Sequence, residues 1–148
     1  MNTSLIAESF ILNQAGNGAS AHLVSIQRDP DRAALLRGTR GSVQLRYHSL
    51  QLIPVDLIDD VPGIWRALLD ALEAFLATGE AEVSYPTLEA TILMTGGGSL
   101  TKFTAGKVRH IVELDLLIDG ILSGATEYFS FAREDYGADL ARIAALRG

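Results

Sequence analysis

The sequence predicts an α+β fold, with an antiparallel β-sheet and two to three helices packed on one face. Segments of alternating apolar and polar residues are joined by glycine-rich turns, a pattern typical of antiparallel hairpins. Two longer segments instead repeat apolar residues at the helical period of three to four positions. Because hairpin turns produce antiparallel pairs and the helices are grouped on one face, the layout favours the α+β class.

Three predicted strands occupy the first third of the chain, over residues 4–12, 20–27 and 42–52. Glycine and asparagine at residues 15–18 accept the positive φ angles of a hairpin turn between the first two strands. In the third strand the apolar residues change parity after Tyr47. This change predicts a β-bulge near His48 or Ser49.

A short helix is predicted over residues 30–37, because Asp29-Pro30 is typical of a helix start and Gly38 of a helix end. A strand over residues 33–37 is the alternative.

The clearest helix is predicted over residues 62–78. Asp59 or Asp60 can cap it, Pro62 suits its first turn, and Gly79 follows where a left-handed residue ends many helices. Six apolar residues form its predicted buried stripe: Ile64, Trp65, Leu68, Leu72, Phe75 and Leu76.

The rest of the chain is predicted to be a meander of strands followed by two helices. The predicted strands span residues 81–85, 87–95, 100–104 and 107–113, and the helices begin near Asp115 and Gly137. Gly96-Gly97-Gly98 lies between two strand patterns and has no phosphate-loop motif, so we interpret it as a hairpin turn.

The bulk properties predict one domain over residues 1–148, in the cytoplasm and away from membranes. The chain contains no cysteine, which favours a reducing compartment. Neither a secretory signal nor a membrane-spanning run is apparent. The net charge is −6, and an acidic surface repels phosphate backbones, so nucleic-acid binding is disfavoured.

No pattern of catalytic or metal-binding residues stands out, so we assign no catalytic residue, metal ligand or cofactor. The three histidines, His22, His48 and His110, fall in predicted strands without metal-ligand spacing. No nucleophile-elbow motif is present. The carboxylates before the long helix, at positions 56, 59 and 60, are interpreted as helix caps, with a cation site or an acid/base pair as the alternative.

The first functional hypothesis is a non-catalytic protein–protein interaction module. Residues 1–50 carry five arginines and three acidic residues, whereas the remainder is strongly acidic. We expect Arg37, Arg40 and Arg46 to form a contact surface for an acidic partner. In size, acidity and layout the chain is similar to several bacterial groups, including contact-toxin immunity proteins and secretion chaperones. This profile implies an immunity-like or chaperone-like role in a bacterial cytoplasm.

The alternative hypothesis is a small-molecule-binding protein or small enzyme. Its ligand would occupy a cavity between a curved sheet and the helices, lined by groups such as His48, Tyr85 or His110.

Self-association is also expected, most simply as a homodimer. Hydrophobic residues make up 48% of a short chain, and Gly120 and Gly124 interrupt a helix. Glycine lowers helix stability, so something must approach the backbone closely there. We expect that neighbour to be the sheet, with the helix of a second subunit or a ligand as the alternatives.

Overall fold

The computed structural model describes residues 5–13, 22–36, 38–132 and 136–148 and contains two antiparallel sheets and four helices within them. The strands are β1 Leu5–Asn13, β2 His22–Ser25, β3 Arg40–Tyr47, β4 Leu50–Gln51, β5 Asp59–Asp60, β6 Glu80–Ser84, β7 Thr91–Thr95, β8 Leu100–Ala105 and β9 Val108–Glu113. The helices are α1 Pro30–Ala34, α2 Val61–Thr78, α3 Leu114–Phe131 and α4 Gly137–Arg147. The α+β class is confirmed, with the strands divided between two sheets.

The first sheet has the order β2-β1-β3-β4, and β5 also pairs with β3. β1 and β3 are antiparallel along most of their length, with Leu5 opposite Tyr47 and Ile11 opposite Gly41. β4 pairs with the end of β3 and β5 with its beginning. The second sheet is a regular meander in the order β6-β7-β8-β9.

Helix α2 is capped at both ends as the sequence predicts. The Asp60 side chain accepts a hydrogen bond from the Gly63 N–H at 3.0 Å. Gly79 ends the helix at φ 84°, in the left-handed region that glycine adopts without strain. Five of the six predicted stripe residues are buried, but Leu76 is 49% exposed. Leu76 lies in the last turn of α2, two residues before the helix ends at Thr78.

The core lies where α2 contacts both sheets and α3. Trp65 is fully buried, and its indole Nε1 donates to Ser9 Oγ of β1 at 2.8 Å. Helix α3 packs on α2 and on β1. The buried apolar side chains of both sheets and of these helices form one contiguous cluster.

The glycine pair of α3 allows this close packing. A Cβ at Gly120 would lie 2.3 Å from Leu5 Cδ2, and a Cβ at Gly124 would lie 2.4 Å from Trp65 Cη2. The expected approach of the helix to the sheet is therefore confirmed, and Trp65 of α2 shares the space.

Helix α4 packs against the core through Ile143, which is buried, and through the partly buried Leu140 and Leu146, and ion pairs connect it to α2. Arg66 forms a bidentate ion pair with Asp139, with hydrogen bonds of 3.0 and 2.9 Å, and Arg142 pairs with Asp70 at 2.6 Å. The Arg66 guanidinium holds the pKa of Asp139 below its usual value despite partial burial.

Two local predictions are wrong. The chain reverses at His48 and Ser49 instead of forming a bulge, since Tyr47 pairs with Leu50 and His48 adopts φ 58°. Reversal of the chain explains the change of parity. The strand predicted over residues 87–95 begins only at Thr91, because the preceding N–H groups bind a carboxylate.

Other local predictions are confirmed or lie outside the described residues. The helix predicted over residues 30–37 forms as α1 but ends at Ala34, and no strand forms at residues 33–36, so the strand alternative is wrong there. Gly96-Gly97-Gly98 joins the paired strands β7 and β8. The predicted turn at residues 15–18 lies outside the described ranges. No helix within those ranges is long and apolar enough to cross a membrane.

Gly124→Ala should lower the free energy of unfolding by about 1–3 kcal/mol, the usual cost of overpacking a core. The new Cβ would lie 2.4 Å from Trp65 and 2.6 Å from the Ala7 Cβ. The sign of the change in the free energy of unfolding is informative, because replacing glycine with alanine in an ordinary helix interior raises stability by about 0.5–1 kcal/mol. Urea denaturation measures the change.

Gly97→Ala is the matched control, since a Cβ at that position meets nothing within 4 Å. Its stability should stay within about 0.5 kcal/mol of the wild type. A Gly124→Ala protein at least as stable as the wild type would contradict the packing of α3.

Candidate functional site

The structure does not bring together the three residues predicted to bind a small ligand. His48 is exposed in the β3–β4 turn, and its ring lies 4.3 Å from that of Tyr47. Tyr85 follows β6 and His110 lies in β9, which are the opposite edges of the second sheet. Three strand spacings, or roughly 14 Å, separate those edges. The ligand-binding role of each residue stays a prediction.

Tyr85 is the most enclosed of the three. Its side chain is 3% exposed, and its hydroxyl has no hydrogen-bond partner within the described ranges. Burial, and then the negative charge of Asp59, raise the pKa of Tyr85 far above its ordinary value. Tyr85 is therefore a neutral phenol at physiological pH.

Two carboxylates before α2, Asp59 and Asp60, hold the loop after β6 and the first turn of α2 in place through hydrogen bonds. Asp59 is fully buried, and its oxygens accept hydrogen bonds from the Thr87 N–H, the Thr87 hydroxyl, the Leu88 N–H and the Asp60 N–H. Burial alone would raise the pKa of Asp59, but these hydrogen bonds outweigh burial and hold it below 3.8. Asp59 thus ties the loop after β6 to the start of α2, and Asp60 caps the helix.

The predicted partner-binding arginines have a clearer arrangement. Arg40 and Arg46 both belong to β3, and their even spacing places them on the same face of the first sheet. They are six residues apart, or roughly 20 Å. Arg37, the third predicted residue, lies outside the described residues.

That face is opposite the helices. Leu5, Ala7 and Ser9 of β1 face α2 and α3, because they meet Gly120, Gly124 and Trp65. Side chains alternate along a strand, so Ile6, Glu8 and Phe10 point the other way. Their cross-strand partners are Arg46, Gln44 and Ser42. We call the side carrying these six residues the outer face.

The outer face contains a pocket with a volume of about 180 Å³. Its apolar lining includes Ile6, Phe10, Leu23 and Val55. Its polar lining consists of Glu8, Arg28, Ser42, Gln44, Arg46 and Gln51. A second cavity, of about 200 Å³, lies between α1 and the end of α3 and is mainly apolar. Neither cavity is lined by His48, Tyr85 or His110.

One wall of the outer-face pocket is fixed by a buried acidic residue. Glu8 is 8% exposed, accepts a hydrogen bond from Ser25 Oγ at 3.2 Å and pairs with Arg28 at 2.6 Å. Ser25 Oγ also accepts the N–H groups of Gln27 and Arg28. This network holds the turn after β2 over the edge of the pocket.

Gln44 lies at the bottom of the same pocket with its polar end incompletely bonded. The residue is 9% exposed, and Oε1 has no partner among the described residues. Nε2 donates only a long hydrogen bond of 3.4 Å to Ser42 Oγ. A buried polar atom without a partner costs about 1–3 kcal/mol, so this is an unusual residue to keep in a core position.

The arginines differ in whether the fold already uses them. Arg28, Arg66, Arg142 and Arg147 each pair with a carboxylate of this chain. Within the described ranges, Arg40 and Arg46 make no such pair. Arg40, which is exposed, and Arg46, which is half-buried, are therefore available to another molecule.

No metal site is evident within the described ranges, where no three His, Asp or Glu residues lie close enough to hold an ion. His22 instead contacts Asn13 and Arg32, at 3.2 and 2.8 Å.

Sequence reasoning missed Glu8 and Gln44 as members of a site. A polar residue on each of two alternating strands looks like a solvated face, and the pairing that places Gln44 opposite Glu8 appears only in the folded sheet. A scan of protein-family models and searches of curated proteins and solved structures found no match to this chain.

Asp59→Asn should destabilise the protein by at least about 2 kcal/mol near pH 7, since hydrogen bonds to a charged acceptor contribute about 1.5–3 kcal/mol each. The pKa of Asp59 is lowered in the folded state, so its stabilisation is present above 3.8 and lost as the pH falls below it. The variant should therefore lose less stability than the wild type on acidification, as measured by urea denaturation from pH 7 to pH 3.

Asp56→Asn is the control, because Asp56 is exposed in the loop before β5. If the Asp59→Asn variant had wild-type stability and the same dependence of stability on pH, Asp59 would not be what holds the loop after β6 to the start of α2.

Proposed function

We propose that this chain is a non-catalytic interaction module that binds an acidic protein partner through the outer face of the first sheet. The observation that carries the proposal is that Arg40 and Arg46 lie on one face of β3 without an ion-pair partner among the described residues, and that Arg46 lines the outer-face pocket. An immunity-like or chaperone-like role in a bacterial cytoplasm agrees with the absence of cysteine.

The size of the pocket favours a protein partner over a small ligand. Small-molecule sites usually have volumes of roughly 300–1,000 Å³. The pocket of about 180 Å³ is smaller and opens onto a wider face. Such a depression suits one anchoring side chain of a protein partner.

The charge of the outer face supports an acidic partner. Arg28, Arg40 and Arg46 contribute three guanidinium groups, against the carboxylates of Glu8 and of Asp60, which lies opposite Arg40 on β5. The chain as a whole carries −6. A basic face on an acidic protein orients an approaching acidic partner and repels it elsewhere.

Exposed apolar side chains near the arginines would supply contact area. Ile6 is 37% exposed and Val55 is 53% exposed, both at the mouth of the pocket. Mixed apolar and arginine surface is typical of the centre of protein interfaces.

Reversing Arg40 and Arg46 to Glu should slow association with the partner by tenfold or more. The loss should shrink as salt rises, because exposed charges are screened over about 8 Å at physiological ionic strength. A partner is first captured by cross-linking to the immobilised wild type and purified. Surface plasmon resonance then measures the association rate between 25 mM and 500 mM salt.

Lys107→Glu is the matched control, since Lys107 is an exposed cation in the turn between β8 and β9 of the second sheet. It should change the association rate by less than about threefold. Equal association rates for the wild type and the Arg40→Glu/Arg46→Glu protein would overturn the proposed docking surface.

We also propose a homodimer, with β9 as the edge that a second copy joins. β9 pairs with β8 alone among the described strands, and Ile111 is 57% exposed. An antiparallel β9–β9 pair centred on Ile111 would place Arg109 opposite Glu113 of the second copy, which joins opposite charges. The other edge, β6, carries Glu80 and Glu82, which would repel.

Ile111→Lys should convert the dimer to a monomer, because it places two like charges opposite each other at the centre of the pair. Light scattering across micromolar concentrations measures the mass. Glu82→Lys on the β6 edge is the control and should leave the mass unchanged. A wild-type protein that is monomeric throughout this range would end the dimer proposal.

A further inference from the structure

We infer that the outer-face pocket is the anchor site for one glutamate of the partner. The carboxylate of that glutamate would bind Arg46, and its backbone N–H would donate a hydrogen bond to Gln44 Oε1. The inference rests on the proposed function, since it specifies which group of an acidic partner the face takes.

The unpaired amide of Gln44 is the first observation. Gln44 is more than nine-tenths buried, lines the pocket and leaves Oε1 without a partner among the described residues. Ser42 is its one side-chain neighbour in hydrogen-bond contact, at 3.4 Å. Exchanging the two amide atoms would leave Nε2 unpaired instead, so one terminal atom lacks a partner among the described residues in either orientation. A backbone N–H satisfies the first orientation and a carboxylate the second.

Arg46 supplies the positive charge at the right separation. It lies two residues from Gln44 on the same face of β3, which is roughly 7 Å along the strand. A glutamate reaches over such a span from its own backbone N–H to its carboxylate. Glu8, the nearest acidic residue of the lining, already binds Arg28 and Ser25, so Arg46 keeps its charge for a partner.

The apolar lining selects glutamate over a bare anion. Ile6, Phe10 and Val55 line the pocket together with the polar groups. They offer contact to the two methylene groups of a glutamate side chain, which phosphate or acetate lacks. The small volume, about 180 Å³, limits the occupant to a single side chain.

A blocked peptide tests the site without the full partner. The ¹⁵N-labelled full chain is titrated with acetyl-Gly-Glu-Gly-amide to millimolar concentration, and the Gln44 side-chain amide and Arg46 Nε–H signals are followed. Both signals should shift in a saturable way. The matched peptides with Gln or Lys in place of Glu should shift them at least fivefold less at equal concentration. Absent shifts, or equal shifts with the Gln peptide, would overturn the inference.

Gln44→Met separates a binding role from a structural one. Removing a buried unpaired amide should raise the melting temperature by roughly 2–6 °C, while peptide affinity falls about five- to tenfold through loss of one hydrogen bond. A lower melting temperature with unchanged affinity would show that Gln44 serves the fold alone. Arg46→Gln should abolish the preference for the Glu peptide over the Gln peptide, whereas Arg109→Gln should preserve it.

Failure of this inference is distinguishable from failure of the proposed function. If the Arg40→Glu/Arg46→Glu protein loses its partner but the Glu peptide leaves Gln44 unshifted, the anchor inference is overturned and the docking face stands. If the peptide shifts Gln44 and Arg46 but the double reversal binds the partner normally, the pocket is a glutamate site and the proposed docking surface is overturned.

Discussion

The fold depends on the indole of Trp65, which extends from α2 and packs against both β1 and α3. The indole donates a hydrogen bond to Ser9 of β1. The edge of its ring occupies the space that a Cβ at position 124 of α3 would need. Large aromatic side chains contribute much of the burial in a core, and the ring nitrogen requires a partner when buried. One residue of α2 therefore fixes the distance of α3 from the helix and from the first sheet. The two glycines of α3 cost helix stability, but Gly124 makes room for Trp65 and Gly120 makes room for Leu5 of β1.

This arrangement determines which surfaces remain open. Since α2 and α3 occupy the face of β1 that carries Leu5, Ala7 and Ser9, the alternate residues must point outward. The chain keeps Glu8, Ser42 and Gln44 among those outward residues, nearly buried under the neighbouring turn. A second sheet packs against the other side of α2, and Asp59 ties its first loop to the helix. The position of the outer face is thus a consequence of the packing around Trp65.

Periodicity was sufficient to predict the α+β class, helix α2 with its Gly79 end, and the hairpins of the second sheet, because these depend on contacts near in sequence. It failed at His48, where a turn and a bulge give the same change of parity, and at Thr87, whose N–H binds a carboxylate 28 residues earlier. The candidate site was only half predictable. Arg40 and Arg46 share a strand, so their common face follows from spacing, whereas Glu8 meets Gln44 only through strand pairing.

A purely structural account of the outer face is incomplete. Glu8 is fully engaged by Ser25 and Arg28, as a buried carboxylate should be, and Asp59 is engaged in the same way on the far side of the core. Gln44 lies opposite Glu8, is buried to a similar extent, and is left with an unpaired amide atom. An apolar side chain of the same length would fill the position without this cost. Three buried side chains, Gln44, Tyr85 and Thr101, each keep one polar atom without a partner among the described residues, and Gln44 is the one that lies two positions from the unpaired Arg46 on β3.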